Sequence, residues 1–131
     1  NEVIYQSVPG IGDVGARVLS NELGDMKQFN NERQLFSFCG LTPSEHSSGD
    51  KVRKGHITRQ GSARVRHVLT EAAWIAIRKD GDLYNTYKRI SLKAGGNRAI
   101  VAVGRKLLGR IRALFNTGEL YIIKEPLELA A

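Results

Sequence analysis

The residues best suited to chemistry lie between Leu41 and Thr58, in LTPSEHSSGDKVRKGHIT. A Ser47-Ser48-Gly49 turn runs directly into Lys51, Arg53, Lys54, His56 and Arg59. A serine hydroxyl can attack phosphorus, and neighbouring cations can neutralise the charge that builds on the phosphoryl oxygens. The pattern therefore suits a phosphodiester. Spacing alone leaves Ser47 and Ser48 as alternative nucleophiles. His46, two residues before Ser48, could orient or deprotonate it. Serine and glycine are also common turn formers, so the same residues read as a plain polar loop as well.

Two flanking features bear on that choice. Upstream stands Val8-Pro9-Gly10-Ile11-Gly12, a hairpin of the kind found in helix-hairpin-helix DNA-binding modules. Gly10 and Gly12 would let the backbone approach a phosphate, and the following helix would aim its amides and positive end at it. The ordinary alternative is a tight turn leading into a helix. Downstream, Gly55 to Ser62 leads into a helix bearing Arg64, Arg66 and His67. Thr58, Arg59 and the amides near Gly61 are candidates to hold phosphate oxygens. Here the alternative is a capped helix with a solvated basic face. His46, His56 and His67 have no ligand-like spacing, so no metal site is expected in this chain.

Charge is distributed unevenly. The 131 residues carry a net charge of +7. Residues 1–50 hold three Lys/Arg against seven Asp/Glu, a net of −4. Residues 51–112 hold sixteen against three, a net of +13, and residues 113–131 hold one against three, a net of −2. A solvated face usually mixes both signs, whereas a block this one-sided marks a polyanion partner, nucleic acid before an acidic membrane surface or protein. The single cysteine, Cys39, excludes an intrachain disulfide. Set among Phe36, Phe38 and Leu41, it reads as a buried structural thiol in a reducing, cytoplasmic compartment. No apolar run reaches the ~20 residues of a membrane span, and the N-terminus lacks the pattern of a signal peptide. The opening NEVIYQSVPG, without an initiator Met, reads as the start of a fragment of a longer protein.

Positioning these groups requires a mainly α fold, a small domain of about five helices with one long polar loop. Val3 to Val8 reads as the end of a helix or strand. Asp13 should cap a helix carrying Val14, Val18, Leu19 and Leu23 on one face. Met26 and Phe29 should pack back onto it. Asn30 or Asn31 should cap a short helix from Glu32 to Cys39, stopped by Gly40. The loop, residues 42–60, has room for a short β-hairpin with Val52 and Ile57 as apolar points. A basic helical region, residues 62–115, follows. Its first helix should run from Ser62 to near Lys79, its second from Leu83 to Leu92, and its third, capped by Asn97, to Phe115. Trp74 and the tyrosines fall within these helical patterns and read as packing residues.

Taken in order, VPGIGDVGARVLSNELGD and FSFCGLTPSEHSSGDKVRKGHITRQGSARVRHVLTEAAW resemble the C-terminal domain of the DEDD-type insertion-sequence transposases related to the Piv DNA invertase. The resemblance runs from about Val8 to Arg78. It implies that residues 1–131 form one C-terminal domain, with a helix-hairpin-helix-like motif at 8–24 and the catalytic-type loop at 42–60.

The resemblance further implies a DNA recombinase whose separate RuvC-like domain uses four acidic residues to bind divalent metal, Mg being expected there and no cofactor in this fragment. Ser48 stands at the family's nucleophile position, with His46 and Ser47 as possible support. Gly10, Gly12, Lys51, Arg53, Lys54, His56, Thr58, Arg59, Arg64 and Arg66 are the expected nucleic-acid contacts. DNA and a structured guide RNA, called a bridge RNA, would be the partners, with no membrane and a homo-oligomer for the full-length protein. Alone, the fragment should be inactive. The competing reading is a non-catalytic helix-hairpin-helix-type DNA- or RNA-binding module in which Ser48 only makes a turn.

Overall fold

The computed structural model describes residues 1–42 and 59–123, the side chains of 59–62 excepted. The fold is mainly helical. Among the described residues there are six helices: α1 (Glu2–Gln6), α2 (Asp13–Leu23), α3 (Glu32–Cys39), α4 (Arg59–Ala76), α5 (Gly81–Ala94) and α6 (Gly96–Thr117). α6 is the axis of the packing. Ala99, Ile100, Val103, Gly104, Leu107, Leu108 and Ile111 recur at three- and four-residue steps and are all buried. α5 lies along α6, and α4 packs on another side of it. α2 and α3 rest on α4, while α1 bridges α2 and α6.

α4 is rich in small residues on its inner face. Val65, Leu69, Ala72, Ala73 and Ala76 are fully buried. The alanines leave the helix backbone open to close approach, and the Pro9-Gly10 turn uses that opening. Gly10 has φ +88°, and a Cβ there would stand 2.8 Å from Ala72 Cα. Only glycine suits both the left-handed backbone and the gap. The turn is thereby seated on the C-terminal part of α4, which fixes where α2 begins.

Capping fixes the ends. The Asn31 side chain accepts from Gln34 N–H at 2.9 Å, and the Gln34 side chain accepts from Asn30 N–H at 3.0 Å. Gly40, at φ +71°, ends α3 in a left-handed turn, and Leu41 N–H reaches back to the Phe36 carbonyl at 3.0 Å. Tyr5 ties the N-terminus down. Its ring meets Phe115 at 5.0 Å and its hydroxyl donates to the Gly24 carbonyl at 2.7 Å. Each fully buried leucine along this core stabilises the fold by roughly 1.5–3 kcal/mol.

Several sequence expectations are corrected. Val14 does not share the core face of α2; it is 80% exposed, and Ala16 takes its place beside Leu19 and Leu23. Two residues apart on a helix, Val14 and Ala16 point to opposite sides, so the face that buries Ala16, Leu19 and Leu23 turns Val14 to solvent. Asp13 is the first helical residue and not the cap. Gly12 occupies the cap position, and the Asp13 carboxylate accepts from the Gln6 side-chain amide. α4 begins at Arg59, three residues before the expected Ser62, and ends at Ala76, after which a turn carries Asp80 N–H to the Ala76 carbonyl at 2.9 Å. α6 starts at Gly96 with Gly95 before it, so Asn97 lies inside the first turn. The segment Val3 to Val8 includes a short helix of its own, which raises the helix number above five. The possible β-hairpin around Val52 and Ile57 lies outside the described residues.

Candidate nucleic-acid interface

The first element is the turn before α2. With Gly10 pressed against α4, its backbone is committed to packing. Gly12 is different: it is exposed, and no neighbouring atom lies within 4 Å of where a Cβ would stand, so its backbone is open to a large partner. The turn and the start of α2 form one wall of a groove of about 680 Å³, and Arg64, His67, Val68 and Glu71 of α4 form the other. The groove mixes signs. Arg64 is paired with Glu22 of α2 at 3.0 Å, and His67 meets Glu71 at 3.3 Å, one helical turn on.

The structure divides the cations of the basic region into two sets. Arg64, Lys106 and Arg110 face carboxylates, and Arg105 and Arg112 donate to carbonyls. The most connected is Arg110. It reaches Asp80 at 3.0 Å and the Tyr121 hydroxyl at 2.7 Å, and it also pairs with Asp82. Tyr121 in turn donates to Asp80 at 2.9 Å. Asp80 is buried and also accepts from the N–H groups of Asp82 and Leu83, so one carboxylate caps α5 and binds α6 and the tail. Burial is the main reason the Tyr121 hydroxyl is pushed up to about 12. Arg64, Lys106 and Arg110, each facing a carboxylate, serve the fold.

The second set consists of Arg66, Arg78, Lys79, Lys88, Arg89 and Lys93, which are exposed and have no carboxylate partner among the described residues. They are the cations left available for a polyanion. Of the expected contacts with described side chains, Arg66 belongs to this set and Arg64 to the first. Trp74, 41% exposed, stacks edge-on against Tyr87 at 5.6 Å, a packing contact that also joins α4 to α5.

The third element is the stem of the polar loop. Leu41 is buried, and its side chain packs beside Gly104 of α6. Its carbonyl accepts from Arg105 Nη1 at 3.0 Å. The Arg66 guanidinium lies over Gly40, at 3.0 Å from where a Cβ would stand. Two arginines from distant parts of the chain thus converge on the residues from which the loop departs. Sequence reading missed Arg105 and Arg98. Their signal was present, since Arg98, Ala102 and Arg105 share one face of α6 at helical spacing, but the longer apolar stripe of that helix dominates the pattern.

Ser47, Ser48, His46, Lys51, Arg53, Lys54, His56 and Thr58 lie outside the described residues. Arg59 opens α4, and its side chain is likewise outside them. Among the described residues no group of three or more His, Cys, Asp or Glu could hold a metal ion. Asp80 and Asp82 are the nearest approach to one, and both are engaged by cations. Cys39 is fully buried, and burial pushes its thiol up to about 12, which makes it an inert packing group. No helix among the described residues is long and apolar enough to cross a membrane.

Comparison with known proteins places this architecture. The pattern of the transposase IS116/IS110/IS902 family matches residues 3–88, from α1 into α5. The chain belongs to this family. It is 36% identical over 121 residues to the transposase for insertion sequence element IS1111A of Coxiella burnetii, covering 88% of this chain and 33% of that protein. It is 27% identical over 131 residues to the insertion element IS110 uncharacterized 43.6 kDa protein of Streptomyces coelicolor, covering 98% of this chain and 32% of that protein. A shorter match, 30% over 73 residues, joins it to the transposase for insertion sequence element IS1328 of Yersinia enterocolitica, covering 56% of this chain and 22% of that protein. The chain therefore spans a third or less of the length of these relatives. No solved structure matches.

Proposed function

We propose that this chain is the nucleic-acid-gripping, serine-bearing part of an insertion-sequence transposase. The observation that carries the reading is the second set of cations. In a chain of this family, Arg66, Arg78, Lys79, Lys88, Arg89 and Lys93 stand exposed without carboxylate partners among the described residues, on the region that follows the polar loop. Such groups supply sequence-independent phosphate contacts that position a protein on nucleic acid. Gly12 and the start of α2 add a second contact of helix-hairpin-helix type.

On this reading Ser48 is the nucleophile. Its Oγ forms an O–P bond to the strand while the strand's own P–O bond breaks. The hydroxyl proton passes to His46 or another base, and the released strand oxygen takes up a proton. Lys51, Arg53, Lys54, His56, Thr58 and Arg59 hold the phosphate oxygens. Support for these roles comes from the resemblance and from the clamped stem at Leu41, which holds one end of the loop against α6. On the resemblance, divalent metal would be held by the acidic residues of a separate RuvC-like domain. A guide RNA, a homo-oligomer and a cytoplasmic location belong to the same proposal.

The test has two parts. The 131-residue chain should bind DNA without sequence preference, and its affinity should fall steeply between low and moderate salt as released counterions lose their advantage. A flat salt response removes the polyanion reading. In the intact transposase, Ser48→Ala should abolish recombination while DNA binding persists. Unchanged recombination by that variant removes the catalytic role and leaves a binding module.

A further inference from the structure

The cleft bounded by the end of α3, α4, the C-terminal half of α5 and the first half of α6 has a lining chemistry of its own. It encloses about 580 Å³, and Arg66, Arg98 and Arg105 reach into its wall from two helices. Among the described residues no carboxylate lines it. Three other grooves all carry acids: Asp13 and Glu71 near the start of α2, Asp80, Asp82 and Glu119 under the tail, and Glu32 beside α3. Ile90 and Val101 add apolar surface to its lining. Asn97, in the first turn of α6, adds an amide beside the positive end of a 22-residue helix that has no acid in its first turn.

We propose that this cleft binds a short single-stranded stretch of nucleic acid, its phosphodiester held by Arg66 and Arg105 and a flanking sugar or base laid against Ile90 and Val101. The proposal rests on the nucleic-acid role above and assigns it a place. Arg66 has no carboxylate partner among the described residues. Arg105 is partly buried, and one of its five donors goes to the Leu41 carbonyl. A partly desolvated guanidinium opposite no carboxylate is costly, and an arriving phosphate offsets that cost. Desolvation already pulls its pKa down.

The apolar surface selects the form of the ligand. The outside of a duplex presents phosphates along a broad convex surface and has little use for Ile90 or Val101. An unstacked nucleotide presents a phosphate on one side and an apolar sugar–base face on the other, the combination that single-strand sites recognise. DNA and RNA share this chemistry.

The test measures binding of the 131-residue chain to fluorescein-labelled oligo-dT, oligo-rU and a duplex of equal length, by anisotropy. Arg66→Glu and Ala102→Glu, which puts a charge into the cleft wall, should each weaken single-strand binding about tenfold or more. Lys27→Glu, the same change of charge at an exposed position in the acidic first third and outside the cleft, should weaken it less than about threefold. Circular dichroism and thermal melting check that each variant folds. For a variant that does not, photocrosslinking of the wild-type chain to 5-iodouracil oligonucleotides replaces it, with adducts expected on residues 90–105. Preference between oligo-dT and oligo-rU names the source of the strand. Equal losses for Lys27→Glu and Arg66→Glu, or adducts confined to α2, overturn the cleft. If the wild-type chain binds no nucleic acid at all, the parent reading fails. If it binds and the cleft variants bind as well, only the cleft fails.

Discussion

Arg105 on α6 and Leu41, the residue at which the polar loop leaves α3, are joined by a 3.0 Å hydrogen bond across 64 positions of sequence. The guanidinium satisfies a carbonyl that the turn after α3 leaves exposed to the interior, and the leucine side chain fills the space beside Gly104. One residue thus fixes the height and direction at which the loop starts.

Replacing Arg105 by Met should therefore cost stability. The Leu41 carbonyl would lose a charge-assisted partner while remaining partly buried, a change worth about 1–3 kcal/mol. Urea denaturation of the chain measures it. A variant as stable as the parent would show that water replaces the guanidinium without loss.

Gly10 and Gly12 should separate cleanly. Gly10→Ala must adopt φ +88° with its methyl 2.8 Å from Ala72 Cα, and neither backbone can move freely. A loss of about 2–4 kcal/mol is expected. Gly12→Ala meets nothing within 4 Å and keeps an ordinary negative φ, so its stability should change by less than about 1 kcal/mol. Should Gly12→Ala weaken DNA binding while melting normally, the open backbone there is a phosphate contact.

The Asp80–Arg110–Tyr121 cluster should dominate the stability of the C-terminal half. Asp80→Ala removes the cap of α5 and leaves Arg110 without its buried partner, a loss of about 2–5 kcal/mol in chemical denaturation. Asp82 adds a pH dependence. A hydrogen bond from Lys106, with the charges of Lys106 and Arg110, holds its carboxyl below the usual range despite some desolvation. Its folded pKa is thus lower than its unfolded one, so its contribution is complete above about pH 4 and disappears as pH falls through the folded value. Stability measured from pH 6 downward should fall less steeply in Asp82→Asn than in the parent.

Cys39 should be silent in the folded chain. With the thiol buried and pushed up to about 12, iodoacetamide at pH 8 should leave it unmodified and label it fully in urea. Rapid labelling without denaturant would mean that α3 opens readily.

Much of the helical framework was legible in local sequence. The stripe from Ile100 to Ile111, the Asn31 cap and the Gly40 stop rest on periodicity and short-range hydrogen bonding, which operate within a few residues. Local pattern also located the basic region and singled out the Ser47-Ser48-Gly49 turn. It could not sort the cations. Arg64 and Arg66 look alike in sequence, yet helix geometry turns Arg64 toward Glu22 and Arg66 toward Gly40. Hydrophobicity misplaced Val14, which faces solvent, although the helical spacing of Ala16, Leu19 and Leu23 already pointed to the alanine. Arg105 and Leu41 lie 64 residues apart, and no local period connects them. The sequence by itself determined most of the helices, the Asn31 cap, the Gly40 stop and the sign of the charge. Only the tertiary structure decided which charges are spent within the fold and which remain for a partner, because pairing depends on distances that packing sets.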